Sequence, residues 1–133
     1  MLGRKAKSTI DSLIGASTTI EGDVHFKGGL RIDGKVKGDV IANADEISML
    51  VISEHAKVEG EVRVAHLLIN GEVIGPVFSS ELLELQPKAR ITGDVQYKAL
   101  EMHGGAVVSG QLTHALDEPV LKLAAPVLAA NNT

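Results

Sequence analysis

The chain has no cysteine and no tryptophan, and only two phenylalanines and one tyrosine among its 133 residues. Without cysteine there can be no disulfide framework, no thiolate metal centre and no cysteine nucleophile. With so few rings, the core must be built from Val, Ile, Leu and Ala, which favours thin, regular layers. An excess of basic charge is also missing. Thirteen Lys and Arg stand against 17 Asp and Glu, a formal net charge of −4, which argues against the basic stripe that a nucleic-acid backbone demands. No apolar run approaches the roughly 20 residues of a membrane-spanning helix. Residues 1–15 lack the continuous apolar stretch of a signal peptide, so the chain is expected to be soluble and unexported.

Catalytic and nucleotide signatures are absent as well. There is no Gly-rich loop followed by Lys and Ser or Thr, and no GxGxxG opening a helix, so neither nucleotide nor nucleic acid is an expected partner. The five histidines (His25, His55, His66, His103 and His114) form no HExxH and no recurrent metal spacing. They are expected on outward strand positions or loops. Ser79 and Ser80 and the Ser/Thr cluster at 17–19 have no neighbouring base in a recognisable motif. No catalytic residue, cofactor site or metal set is therefore assigned.

What the sequence does contain is a repeat. The pattern aliphatic, any residue, Gly, any residue, aliphatic occurs as IEGDV at 20, IDGKV at 32, VKGDV at 36, VEGEV at 58, INGEV at 69, VIGPV at 73, ITGDV at 91 and VSGQL at 108. Alternation along a strand puts both aliphatics and the Gly between them on one face. A Gly in that place suits a sharp corner, where a side chain would strike the neighbouring layer. The motif reads as strand, corner, strand.

From Gly22 the steps to Gly38, Gly60, Gly75, Gly93 and Gly110 are 16, 22, 15, 18 and 17 residues. An irregular period near these values predicts a β-solenoid, in which three short faces make one turn and successive turns pair in parallel about 4.8 Å apart. An immunoglobulin-like sandwich would want longer strands and aromatic anchors. The expected inward set begins with Ile20, Val24, Phe26, Leu30, Ile32, Val36 and Val40 and continues through Ile47, Val51, Val58, Val62, Leu67, Ile69, Val73, Val77, Leu83 and Leu85. It closes with Ile91, Val95, Leu100, Met102, Val107 and Leu112. The charged residues beside each Gly, such as Glu21, Asp23, Lys37, Glu61 and Asp94, are expected to face solvent.

Three segments follow: a flexible tail at 1–13, a solenoid domain at 14–115 and a flexible tail at 116–133. The first carries Arg4, Lys5 and Lys7 beside apolar Met1 and Leu2. This suits a weak membrane-surface tag, each basic residue contributing about 1 kcal/mol near an anionic leaflet. The last segment is interrupted by Pro119 and Pro126 and offers no amphipathic cap. A solenoid without caps exposes sheet edges and aliphatic core at both ends, and such edges recruit further strands. End-to-end self-association is expected. The competing reading is an acyltransferase of the left-handed hexapeptide-repeat kind, because IGASTT-IEGDVH-FKGGLR divides into six-residue steps; the fit degrades after residue 40. A third reading is a capped, monomeric solenoid that binds a partner.

The stretch LIGASTTIEGDVHFKGGLRIDGKVKGDV, followed by VEGEV, INGEV, ITGDV and GAVVSGQL, resembles the bactofilins. The likeness runs from about Leu13 to Leu112. It implies an all-β fold, a single-stranded, right-handed, triangular parallel β-helix of about six turns with flexible termini. It also implies non-polar filaments formed without nucleotide, on the inner face of the cytoplasmic membrane. Such filaments are a cytoskeletal scaffold in cell shape, recruiting cell-wall (peptidoglycan) synthesis or hydrolysis enzymes. Met1, Leu2, Arg4, Lys5 and Lys7 then become the expected membrane contact. The expected polymer interface comprises Val107, Val108 and Leu112 towards one end and Ile20, Val24 and Phe26 towards the other. Many bactofilins carry Phe where this chain has Val108.

Overall fold

The computed structural model describes residues 10–43 and 47–115. Among them the chain winds through six turns, each made of three short strands or strand halves. The first turn is β1 (Ser12–Ile14), β2 (Thr19–Glu21) and β3 (Val24–Phe26), and the second is β4 (Gly29–Ile32), β5 (Lys35–Lys37) and β6 (Val40–Ala42). Next come β7 (Met49–Ile52), β8 (Lys57–Glu59), β9 (Val62–Ile69), β10 (Glu72–Ile74) and β11 (Val77–Leu85). The chain ends in β12 (Arg90–Thr92), β13 (Val95–Met102), β14 (Val107–Ser109) and β15 (Leu112–His114). Strands β9, β11 and β13 each run round a corner, so each serves the end of one turn and the start of the next.

Every strand pairing is parallel and joins equivalent positions in successive turns. One face is the sheet β2-β5-β8-β10-β12-β14, and the other two merge into a nine-stranded sheet through the long strands. Register makes the core a set of columns. Ile20, Val36, Val58, Val73, Ile91 and Val108 stack on the first face. Val24, Val40, Val62, Val77, Val95 and Leu112 stack on the second. The third face carries two columns, Leu30-Leu50-Leu67-Leu83-Leu100 and Ile14-Ile32-Ile52-Ile69-Leu85-Met102. Like side chains stacked at a fixed spacing fill the interior without large rings, each fully buried aliphatic contributing about 1.5–3 kcal/mol.

The glycine of the repeat is required by close approach. At Gly75 the backbone is in the left-handed region (φ 147°), and a Cβ there would lie 2.2 Å from the Gly60 carbonyl oxygen one turn below. The same contact links Gly22, Gly38, Gly60, Gly75, Gly93 and Gly110 into one column, matching the steps expected from the sequence. The remaining two repeats form a different corner. Gly34 and Gly71 fit under wider four-residue turns of the preceding coil, where a Cβ would meet the carbonyl oxygens of Gly15 and Ser53 at 2.3 and 2.2 Å.

Charged residues after the glycine do more than face water. Asp23 Oδ1 accepts the N–H of Asp39, Asp39 Oδ1 accepts that of Glu61, and Asp94 Oδ1 accepts that of Gln111, at 2.8, 2.9 and 3.0 Å. Each carboxylate thus satisfies a backbone donor on the next turn at the corner. At the third corner two buried serines do similar work. The Ala65 N–H donates to Ser48 Oγ (3.1 Å) and Ser79 Oγ donates to the Ala65 carbonyl (2.9 Å), which leaves these buried hydroxyls partnered.

Three expected core positions are corrected. Ile47 is 52% exposed and Val51 is half-buried on the outer surface, whereas Leu50 and Ile52 are fully buried. The longest inter-glycine step, 38–60, carries the extra residues, and they shift the alternation by one. Val107 is also outward, in register with Arg90, because the phase is set by Val108 two residues before Gly110.

Candidate functional site

In mid-rod the columns are sealed: Val58, Val73, Ile52 and Leu83 are all 0% exposed. At the C-terminal end the same columns open. Met102 is 45% exposed and Leu112 41% exposed, and Val108 is half-buried against the core. At the N-terminal end Ile20, Val24 and Phe26 are likewise only half-buried. These side chains point inward like their buried counterparts, and among the described residues no further turn lies against them.

The backbone is open at the same places. Strands β1, β2 and β3 pair only with β4, β5 and β6, and β14 and β15 pair only with β12 and β13. Among the described residues each therefore has one edge without a strand partner. Protein edges are commonly blunted with Lys, Pro or a bulge. None of these five strands contains Lys or Pro, so both ends present strand edge and aliphatic surface together.

The structure divides the six expected interface residues between the two ends. Val108 and Leu112 finish inward columns at the C-terminal end, with Val107 beside them on the outer surface; Ile20, Val24 and Phe26 begin columns at the other. The sequence pattern puts Met102 in the core and does not mark it as the end of the Ile-rich column, which it is. Its place at the open end becomes visible only when the columns are counted to their last member. Met1, Leu2, Arg4, Lys5 and Lys7 lie outside the described residues.

The histidines are dispersed. His25, His55, His103 and His114 are exposed and His66 is half-buried on the outer face. His114 stacks on Tyr97 with ring centroids 5.6 Å apart. Among the described residues no helix is long and apolar enough to cross a membrane.

A parallel solenoid with both ends open is a structural rod of the self-associating kind. A family model for bactofilins, described as polymer-forming cytoskeletal, matches residues 12–113, and the chain belongs to the bactofilin family. Bactofilin BacO of Myxococcus xanthus (strain DK1622) is 25% identical over 115 residues, covering 86% of this chain and 88% of that protein. Bactofilin BacP of the same organism is also 25% identical over 115 residues, which make up 46% of its length.

Two solved structures share the fold. One is a cryo-EM reconstruction of Thermus thermophilus bactofilin double helical filaments, at TM-score 0.67 and 33% identity over 78% of this chain and 99% of that one. The other, the cytoskeletal bactofilin BacA determined by solid-state NMR, has TM-score 0.67 and 34% identity over 78% of this chain and 95% of that one. Membership places the chain among polymer-forming structural proteins rather than enzymes, and the acyltransferase reading falls with it.

Proposed function

We propose that the chain polymerises end to end, without nucleotide, into non-polar filaments that act as a scaffold on the inner face of the cytoplasmic membrane. The observation that carries this reading is the contrast along each column, fully buried at the centre and open at Met102, Val108 and Leu112. A second copy laid on that surface would pair with the open strand edges, antiparallel where two like ends meet, and remove apolar area from water, at about 25 cal/mol per Å² buried. The test is negative-stain electron microscopy of the full chain at neutral pH, without nucleotide or divalent metal. Long thin filaments are expected; uniform monomers or closed trimers would overturn the reading.

Membrane attachment is assigned to Met1, Leu2, Arg4, Lys5 and Lys7. Three cations and one or two inserted apolar side chains bind weakly, but a filament presenting many copies gains by multivalency. Filaments are expected to co-sediment with anionic phospholipid vesicles. A Leu2→Glu variant should still polymerise and lose the vesicles; retention of vesicles would reject the tag. Recruitment of cell-wall synthesis or hydrolysis proteins, in cell shape or morphogenesis, completes the proposed role.

A further inference from the structure

On the outer surface of the first face opposite charges meet at several levels, although Lys35 stands opposite Lys57. Glu72 lies in register between Lys57 and Arg90, and Lys37 between Glu21 and Glu59. Opposite charges across neighbouring strands are mutually stabilising, and like charges directly opposite destabilise. On the third face, at the C-terminal end, Glu84 on β11 stands directly opposite Glu101 on β13. His103, at the corner just after β13, turns back towards them. Its Nε2 lies 3.2 Å from Glu84 Oε2, and one donor atom from each of Glu84, Glu101 and His103 falls within 4.8 Å of the others.

We propose that Glu84, Glu101 and His103 bind a divalent transition-metal ion of the Zn²⁺ class. One imidazole nitrogen with two carboxylate oxygens suits zinc and its neighbours, whereas calcium and magnesium prefer oxygen alone. In a tetrahedral site with bonds of about 2 Å, donor atoms lie about 3.3 Å apart. The His103–Glu84 pair already has that spacing, and Glu101 needs only a rotation of its long, exposed side chain. Gln86 Nε2 donates to Glu84 Oε2 and so orients this ligand from outside, as partners of metal-bound carboxylates commonly do. The ion would neutralise the Glu84–Glu101 pair and tie the fifth turn to the sixth, which among the described residues has a neighbouring turn on one side only. The residues are 17 and 2 positions apart in sequence, which is no metal motif. The coil register alone assembles the set.

The test is titration of the full chain with Co²⁺, followed by its visible absorption, and with Zn²⁺ by calorimetry. One ion per chain is expected. His103→Ala should weaken binding at least tenfold, and Glu84→Gln and Glu101→Gln should do likewise. The His103 side chain can be removed safely, because its backbone bonds to Leu85 and Ala106 (2.9 and 3.2 Å) remain; circular dichroism verifies that the strand signal persists. His55→Ala, at an exposed turn on another coil, should bind as the parent does. Unchanged affinity in His103→Ala, or an equal loss in His55→Ala, would overturn the site. Binding is read directly, so the outcome does not depend on whether filaments form.

Discussion

The middle and the ends of this rod are written in the same motif but stand in different physical situations. Val73 and Val108 occupy one column and precede a corner glycine in the same way, yet Val73 is 0% exposed and Val108 is half-buried. Gly75 and Gly22 share a column too. A Cβ on Gly75 would collide with the turn below, while a Cβ on Gly22 would meet nothing within 4 Å. In a solenoid, then, the meaning of a residue is set by whether a further turn lies against it. The middle is a finished core, and the ends are the same core left open.

Placing a charge at each level should separate folding from assembly. Val73→Arg buries an unpaired guanidinium in a sealed column, at a cost of several kcal/mol, and is expected to abolish the folded rod by circular dichroism. Val108→Arg can extend into solvent. It should leave the strand signal intact and abolish filaments in the electron microscope; filaments that persist would remove this end from the polymer contact.

The glycine column gives the next contrast. Gly75→Val should prevent two adjacent turns from closing and leave little folded protein. Gly22→Ala has room for its methyl and pays only the backbone strain at φ 130°, about 1–3 kcal/mol, measurable as a lowered thermal midpoint.

Cavity formation is expected to follow the same gradient. In a Val108→Arg background, used to suppress polymerisation, Leu83→Ala should cost about 2–5 kcal/mol in urea unfolding. Leu112→Ala, already 41% exposed, should cost well under half as much. Equal losses would mean that the last turn is as well covered as the middle.

The smallest expected effect is electrostatic. The Ser53 hydroxyl and the Arg31 guanidinium hold the Asp33 carboxyl below the usual carboxylate range, against a smaller opposing effect of burial. A carboxyl with a lowered folded-state value contributes stability above its unfolded pKa and loses it as pH falls through the folded one. Asp33→Asn should therefore slightly lower the denaturant midpoint at pH 7, and the difference should shrink as pH falls below the usual carboxylate range. A difference that survives at acid pH would point to a neutral hydrogen bond instead.

Much of the architecture follows from local pattern. Strand alternation and the collision of a Cβ with the next turn are short-range consequences of residue type. The glycine steps could therefore be counted from the sequence, and the columns through Val36, Val58, Val73 and Ile91 came with them. The interval between Gly38 and Gly60 was not legible in that way. Its added residues carry no marker of how many belong to strand, so simple alternation puts Ile47 and Val51 inward where the structure buries Leu50 and Ile52. The Asp-to-backbone bonds at the corners were hidden for a similar reason: a carboxylate after glycine looks solvated until the N–H of the next turn is placed beside it.

The sequence by itself determined that this is an aliphatic, cysteine-free solenoid with glycine corners, because those properties depend on residue type and spacing alone. Only the tertiary structure decided which aliphatics end a column, that Met102 belongs with Val108 and Leu112, and that Glu84, Glu101 and His103 meet. Those facts depend on register between turns 15 to 22 residues apart, and register is the sum of every corner and insertion between them.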